Sequence, residues 1–178
     1  MGDPRRLRKK YETPRHPWRM DQITEELRLI GEYGLRNKRE LWRYKTMLSK
    51  IRGIARSLLG KTEEERAKLQ RVYITKMARL GLLTSDAALD DILDLDIKSL
   101  LEKRLQTVIY RRGFSKTVHH AREMIVHGHV QVGERVVTVP SYFVTKEDDA
   151  QIAVIGGVEA SEISPKDAPR EQKEKSET

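Results

Sequence analysis

The stretch from Leu100 to Phe143 most constrains the fold, because three successive patterns in it each specify a different element. Leu101, Leu105 and Val108 come first, at the spacing that places side chains on one face of a helix. Gly113 follows at the point where a residue with left-handed backbone geometry would end that helix. The pattern therefore predicts a short amphipathic helix that closes at this glycine.

A second short helix is predicted to follow, with Ser115 as the residue that caps its N terminus. Val118, Ala121 and Ile125 recur at helical spacing and would form its buried face. Gly128 comes after this apolar stripe and would end the helix. The two predicted helices are therefore short, adjacent and apolar on one side.

Alternating apolar and polar side chains replace the helical pattern over residues 129–139, as expected for the two strands of a hairpin. Gly133 and Glu134 lie between the strands and fit a two-residue turn of type II′, which takes glycine first. Pro140 lacks a backbone N–H and would end the pairing. A strand around residues 152–155 is expected to join the hairpin. Together with the helices before it, this segment predicts an α+β fold.

The same segment resembles a known RNA-binding module. Residues 103–142 read KRLQTVIYRRGFSKTVHHAREMIVHGHVQVGERVVTVPSY. They are similar to the module of the small-subunit ribosomal protein S-four, which also occurs in several RNA-modifying enzymes. The segments GDPRR, KKYETPRHPW and YGLRNKRELWR resemble the archaeal and eukaryotic branch of that family. The family commonly carries Asn-Gly at the hairpin tip, where this chain has Gly133-Glu134.

The resemblance covers roughly residues 1–155 and implies a protein of the small ribosomal subunit. It implies direct binding to small-subunit ribosomal RNA, contact with neighbouring small-subunit ribosomal proteins, and a part in subunit assembly. It also implies a position near the channel through which messenger RNA enters. Two alternatives stay open: a ribosomal-RNA-processing factor, and an RNA-modifying enzyme that uses this module as its RNA handle.

Composition and pattern divide the chain into four segments. They are a basic extended arm (1–20), a small all-helical RNA-binding domain with an acidic connector (21–97), the RNA-binding module (98–155), and an acidic and polar tail (156–178). The arm and the tail lack an apolar pattern, so both are expected to be disordered in the free protein, and the arm to become ordered on RNA. The connector is rich in Asp and has no Lys or Arg, so it is expected to pack against protein rather than phosphate.

The strongest pattern in the helical domain runs from Asn37 to Gly60. Six apolar residues hold helical spacing there, and Asn37 with Glu40 resembles a capping box, which would mark the start of the helix. The six apolar residues are Leu41, Tyr44, Leu48, Ile51, Ala55 and Leu58.

Weaker helical patterns lie on either side. A helix from near Asp21 to Gly34 would place Ile23, Leu27 and Ile30 on one face. A later helix would begin with a capping box formed by Thr62 and Glu65 and would end before Gly81. Its predicted inward residues are Leu69, Val72 or Tyr73, Met77 and Leu80.

Charge is distributed unevenly and indicates a polyanionic partner. The chain carries 35 Lys and Arg against 27 Asp and Glu, a formal net charge of +8. Residues 1–60 hold 16 of the basic residues and 7 of the acidic ones, whereas residues 128–178 hold 6 and 10. A strongly basic N-terminal part favours nucleic acid as the partner.

The candidate RNA-binding residues lie on the arm, on both flanks of the Asn37–Gly60 helix, and at the helix ends of the module. Charge on an outer helix face is often only solvated, but Glu40 is the only acid from Asn37 to Gly60, and a solvated face usually mixes both signs. Arg122 lies at the margin of an apolar stripe, where its stem could pack while its guanidinium stays in solvent. The full set is Arg5, Arg6, Arg8, Lys9, Lys10, Arg15, Lys38, Arg39, Arg43, Lys45, Lys50, Arg52, Arg56, Arg104, Arg111, Lys116, His120, Arg122, His127 and His129.

Histidines of the module do not form a metal-binding pattern. His119 and His120 are adjacent on a predicted helix and would point about 100° apart, whereas a metal site needs converging ligands. His120 and His127 are interpreted as facing RNA. For His129, an RNA-facing role and a structural surface role both stay open.

Other chemistries find no support in the sequence. The chain has no cysteine, which excludes a disulfide and a cysteine zinc site. No nucleophile motif, P-loop or dinucleotide-binding turn occurs, so neither an enzyme activity nor a cofactor is expected. No segment is apolar over the length of a membrane span, and a cytoplasmic protein without membrane contact is expected.

Overall fold

The computed structural model describes residues 9–84 and 87–155 and combines helices with a small antiparallel sheet. The predictions for Arg5, Arg6, Arg8 and the tail after residue 155 lie outside the described residues. The helices are α1 (Met20–Glu32), α2 (Lys38–Leu59), α3 (Glu63–Arg79), α4 (Leu89–Asp94), α5 (Ile97–Glu102), α6 (Leu105–Arg111), α7 (Val118–Val126) and α8 (Lys146–Asp149). The strands are β1 (Val130–Val132), β2 (Arg135–Val136) and β3 (Ile152–Val154).

Helix α2 is the centre of the helical part, and α1, α3, α4 and α5 all contact it. The six apolar residues predicted for its inner face are buried, which confirms that pattern. Asn37 caps the helix, because its side chain accepts a hydrogen bond from the Glu40 backbone N–H at 3.1 Å. The predicted capping box also requires the Glu40 side chain to accept from the Asn37 backbone N–H, and this part of the prediction is wrong. The Glu40 carboxylate accepts hydrogen bonds from Arg104 and Arg122 instead.

Helix α1 packs on α2, but not only by the apolar face that the sequence predicts. Leu27 is 57% exposed, whereas the neighbouring Glu26 is 2% exposed. The Glu26 carboxylate can be buried because Lys45 Nζ donates to it at 2.7 Å and Trp42 Nε1 donates at 3.1 Å. These donors satisfy the hydrogen-bonding capacity of the buried carboxylate. The spacing of apolar residues cannot predict that a glutamate is buried.

Helix α3 packs on α2 through Ile74 and Met77, which are buried. The prediction that Leu69 faces inward is wrong, because that side chain is exposed. Of the alternatives Val72 and Tyr73, Tyr73 is confirmed, since it packs partly buried against the core while Val72 is exposed. Two residues of helix turn the direction of a side chain by about 200°, so a helix that buries Ile74 must expose Val72. Thr62 makes no capping hydrogen bond through its side chain, and the capping box predicted there is also wrong.

The acidic connector folds into α4, and both α4 and the α5 helix that follows it pack against α2. Leu89, Ile92 and Leu95 are buried, and Leu100 and Leu101 complete the same apolar cluster. The connector therefore packs against protein, as predicted, through the apolar residues between its aspartates.

The single helix predicted from Leu100 to Gly113 is wrong, because the chain leaves helical geometry between α5 and α6. The Leu105 N–H donates to the Tyr142 carbonyl at 2.9 Å, and the Val144 N–H donates to the Lys103 carbonyl at 2.9 Å. The backbone groups of residues 103 and 105 thus form hydrogen bonds with residues 142 and 144 rather than within a continuous helix. Apolar spacing continues across the break and conceals it.

Helix α7 begins later than predicted, and its N-cap is Thr117 rather than Ser115. Thr117 Oγ1 accepts a hydrogen bond from the His120 N–H at 3.1 Å, while the Ser115 hydroxyl donates to the Thr117 carbonyl at 3.2 Å. Ala121 and Ile125 are buried, as the predicted stripe requires.

The sheet of the module has the strand order β2-β1-β3, with both pairings antiparallel. Val132 pairs with Arg135, which leaves Gly133 and Glu134 as the predicted two-residue turn. Gly133 has a φ of +61°, whereas Glu134 does not have a positive φ. A positive φ at the first turn residue alone matches a type II′ turn. The third strand that the sequence predicts is confirmed as β3.

Leu105 and Ile125 are fully buried in the module core, so substitution of either with Ala should lower the free energy of unfolding by about 2 to 5 kcal/mol. Urea unfolding followed by circular dichroism measures the loss. Val136→Ala is the control, because that side chain is 54% exposed, and its effect should stay within about 0.5 kcal/mol. Equal losses at the buried and exposed positions would contradict this core.

Candidate RNA-binding surface

The helical part and the module are joined by one carboxylate that binds two arginines. Glu40, in the first turn of α2, accepts a hydrogen bond from Arg104 Nη2 at 3.1 Å and from Arg122 Nη2 at 2.8 Å. Arg104 precedes α6 and Arg122 lies on α7, so both cations come from the module. Two arginines on one carboxylate leave a net positive charge at this junction.

The environment of Glu40 keeps it ionised. Burial raises the pKa of its carboxyl, but the hydrogen bonds and charges of Arg122 and Arg104 outweigh burial and hold that pKa below its ordinary value. The Arg104 guanidinium also lies 5.4 Å from the Tyr44 ring centroid, in cation–π geometry. Its Nη2 donates a further hydrogen bond to Gln106 Oε1 at 3.2 Å.

Arg104 is predicted to bind RNA at a helix end of the module, as are Arg111 and Lys116, but it does not lie at the surface. That side chain is 0% exposed, because the chain breaks between α5 and α6 and turns Arg104 inward onto Glu40. Arg111 is exposed but paired, since its Nη2 lies 3.0 Å from Glu102 Oε1. Lys116 is exposed at the turn before α7.

Gly34 and Gln106 form a second contact across the junction. Gln106 is fully buried, and its Nε2 donates to the Gly34 carbonyl at 3.1 Å and to the Val118 carbonyl at 3.0 Å. Gly34 has a φ of +56°, and a Cβ there would lie 2.7 Å from Val118 Cγ1. Both the conformation and the close approach therefore require glycine at this position.

An arginine-lined recess opens beside Glu40, with a volume of about 400 Å³. Arg36, Arg39 and Arg43 line it from the α2 side and Arg122 lines it from the module. Within residues 9–84 and 87–155, no acid lies within 4.0 Å of the first three of these guanidinium groups. We call this surface the arginine recess. It brings together three of the predicted RNA-binding residues and adds Arg36.

Sequence reasoning missed Arg36 because it lies in the loop before the predicted helix, where no periodic pattern marks it. A usable signal is its position beside the N-cap of a long helix. Backbone N–H groups at that end favour an anion, as the arginines do.

The remaining predicted cations of α2 differ in their environments. Lys38 and Lys45 are paired with the buried Glu26. Arg52 is partly buried, and its Nη2 donates to the Leu95 carbonyl at 2.6 Å. The other two, Lys50 and Arg56, are exposed.

Histidine and arm residues lie away from the recess lining. His127 and His129 are exposed, with ring centroids 6.5 Å apart, and His120 is partly buried. The arm cations Lys9, Lys10 and Arg15 are exposed. The described part of the arm lies against α2, where the Tyr11 and Trp42 rings are 6.0 Å apart.

The described residues, 9–84 and 87–155, lack two kinds of feature. No group of three or more His, Cys, Asp or Glu side chains is placed there to hold a metal ion. None of the helices in these ranges combines the length and the apolar character needed to span a membrane.

The fold and the recess define an S4-domain protein with a cationic junction between its two parts. The family model described as "S4 domain" matches residues 103–149, which cover α6, α7, the β1–β2 hairpin and α8. This match confirms the module that the sequence pattern predicted.

Three curated relatives extend the similarity over most of the chain. Small ribosomal subunit protein uS4 of Ignicoccus hospitalis is 45% identical over 152 residues, which cover 85% of this chain and 92% of the relative. The uS4 of Hyperthermus butylicus is 44% identical over 149 residues, covering 84% and 85%. The uS4 of Methanothermobacter thermautotrophicus is 42% identical over 152 residues, covering 85% and 89%. The chain belongs to the small ribosomal subunit protein uS4 family.

Replacing Glu40 with Gln should lower the free energy of unfolding at pH 7 by about 3 kcal/mol, because it leaves the buried Arg104 charge uncompensated. The loss should shrink as pH falls below about 4.3, because a carboxyl with a depressed pKa contributes its full stabilisation above its unfolded-state pKa and loses it as pH falls through its folded-state pKa. Denaturant unfolding at pH 7 and pH 3.5 measures both effects.

Glu147→Gln is the control for this substitution. Glu147 pairs with Arg79, but their side chains are 68% and 69% exposed, so the loss should stay below about 1 kcal/mol. A Glu40 variant as stable as this control at pH 7 would contradict the role of the carboxylate at the junction.

Proposed function

We propose that the chain is a structural constituent of the small ribosomal subunit and binds ribosomal RNA directly through the arginine recess. The observation that carries this proposal is the set of Arg36, Arg39, Arg43 and Arg122 around one opening, with Glu40 as their one acidic neighbour in the lining. Guanidinium groups bind phosphate through two parallel hydrogen bonds and are less strongly hydrated than ammonium groups.

The recess suits structured RNA because RNA helices are recognised chiefly through their backbone and shape. The exposed cations of α2 outside the recess would extend the contact along the same helix. The arm, of which Lys9, Lys10 and Arg15 are described and exposed, would add phosphate contacts at one end. The module would contribute Lys116, His120, His127 and His129 from the other part of the molecule.

Family membership supports the proposed role in the subunit, its protein contacts and its location. The relatives are named as small-subunit ribosomal proteins, and the chain would accordingly take part in subunit assembly and contact neighbouring proteins of that subunit. A position near the channel through which messenger RNA enters belongs to the same proposal, as do a cytoplasmic location and the absence of catalysis. Co-sedimentation with mature subunits rather than with precursor particles would separate it from a processing factor.

Affinity for small-subunit ribosomal RNA should depend steeply on salt. If roughly six to ten phosphates are contacted, binding should weaken about 10³- to 10⁵-fold between 50 and 200 mM salt. Filter binding over a series of salt concentrations measures the slope. A nearly flat titration would contradict direct RNA binding.

Replacing Arg39 and Arg43 together with Gln should weaken that binding and reduce the salt slope by about 2, because each arginine is assigned one phosphate contact. The control is Lys68 and Arg71 replaced with Gln, which removes the same charge from exposed positions on α3. It should leave the slope nearly unchanged. Equal reductions in the two variants would mean that net charge rather than the recess determines binding.

A further inference from the structure

An apolar recess of about 260 Å³ lies directly beside the arginine recess and shares Glu40, Arg43 and Arg122 with it. Its remaining walls come from α2 and from the segment that crosses between the hairpin and α8. Met47 and Phe143 are partly buried there, and Pro140 and Ser141 lie at the crossing segment. We call this opening the base recess.

The floor of the base recess is a cation with unmet hydrogen-bonding capacity. Arg104 is fully buried and lines the recess, and its Nε and Nη1 have no partner among the described residues. The guanidinium therefore places a positive charge beneath the recess, and this charge favours an occupant with electron-rich atoms at its edge. The Tyr44 ring lies beside the same guanidinium and adds an aromatic wall.

Size and chemistry together restrict the occupant. Sites that enclose a drug-sized molecule usually have volumes of about 300 to 1,000 Å³, so this recess suits a smaller group, about the size of one ring system. A purely apolar side chain would gain nothing from the positive charge of Arg104. A nucleobase combines a flat apolar face with acceptor atoms at its edge, and it is attached to the phosphate that the adjacent arginines favour.

We infer that the base recess binds one unpaired RNA base, while Arg39, Arg43 and Arg122 hold the phosphate of the same nucleotide. This inference rests on the proposed function and names the feature of ribosomal RNA that the junction recognises. Proteins read RNA sequence mainly where bases are unstacked and can stack on aromatic or guanidinium groups. The Glu40 contact holds the two recesses side by side, so base and phosphate sites form one preorganised site.

Substitution of Ser141 with Trp tests this inference. Ser141 is exposed at the mouth of the base recess and its side chain has no hydrogen-bond partner in the described ranges, so a large ring there would occupy the recess. Thr138→Trp is the matched control, because Thr138 is exposed in the same segment and does not line the recess. The probe is transcribed small-subunit ribosomal RNA of Ignicoccus hospitalis, bound to the full chain in filter assays.

Ser141→Trp should weaken binding roughly 5- to 150-fold, the range expected when stacking of one base is lost. Its salt slope should equal that of the parent chain, because no phosphate contact is removed. Thr138→Trp should bind within about twofold of the parent. Equal affinities of the two Trp variants would overturn the inference, and a parent chain that binds this RNA without salt dependence would instead overturn the proposed function.

A second measurement does not depend on the stability of the Trp variant. Benzoylphenylalanine placed at position 141 and irradiated in the RNA complex should produce one dominant reverse-transcription stop at an unpaired nucleotide. The same group at position 138 should produce at most a weak stop there. Absence of an RNA adduct from position 141, or an adduct in intact subunits to a neighbouring protein only, would overturn the inference.

Discussion

The contact of Glu40 with Arg104 and Arg122 is the interaction on which the arrangement of the two parts depends. One core surrounds α2 and the other lies between α6, α7 and the sheet. The Glu40 carboxylate binds Arg104, which precedes α6, and Arg122 on α7. Because Arg104 is fully buried, its charge is tolerable only beside Glu40. Gln106 reinforces the junction by donating to backbone carbonyls on both sides of it.

This contact also explains how the surface can be strongly basic although a carboxylate lies within it. Glu40 pairs with Arg104 and Arg122. It therefore orients Arg122 without pairing with the exposed Arg36, Arg39 and Arg43. Groups held in place before binding lose little conformational freedom when a phosphate arrives. The same crossing segment that turns Arg104 inward forms a wall of the base recess. Stability and recognition therefore share one set of residues at the junction.

Much of the architecture could be predicted from the sequence, because it depends on local patterns. The spacing of Leu41 to Leu58 specified the buried face of α2, and the Gly133-Glu134 pair specified the hairpin turn. Features that depend on distant contacts could not be predicted. Nothing local distinguishes the buried Arg104 from the exposed Arg111 and Arg112, and apolar spacing runs unbroken across the gap between α5 and α6. The sequence identified most of the candidate cations. It could not show that Arg39, Arg43 and Arg122 line one recess, because that depends on how the module packs against α2.

The most direct test of this account is ultraviolet cross-linking of the full chain to small-subunit ribosomal RNA, followed by mass spectrometry of the cross-linked peptides. The account predicts that the principal adducts lie in the peptides that contain residues 36–43 and 140–143, which border the two recesses. Cross-links concentrated in α3, with none in either of these peptides, would contradict it.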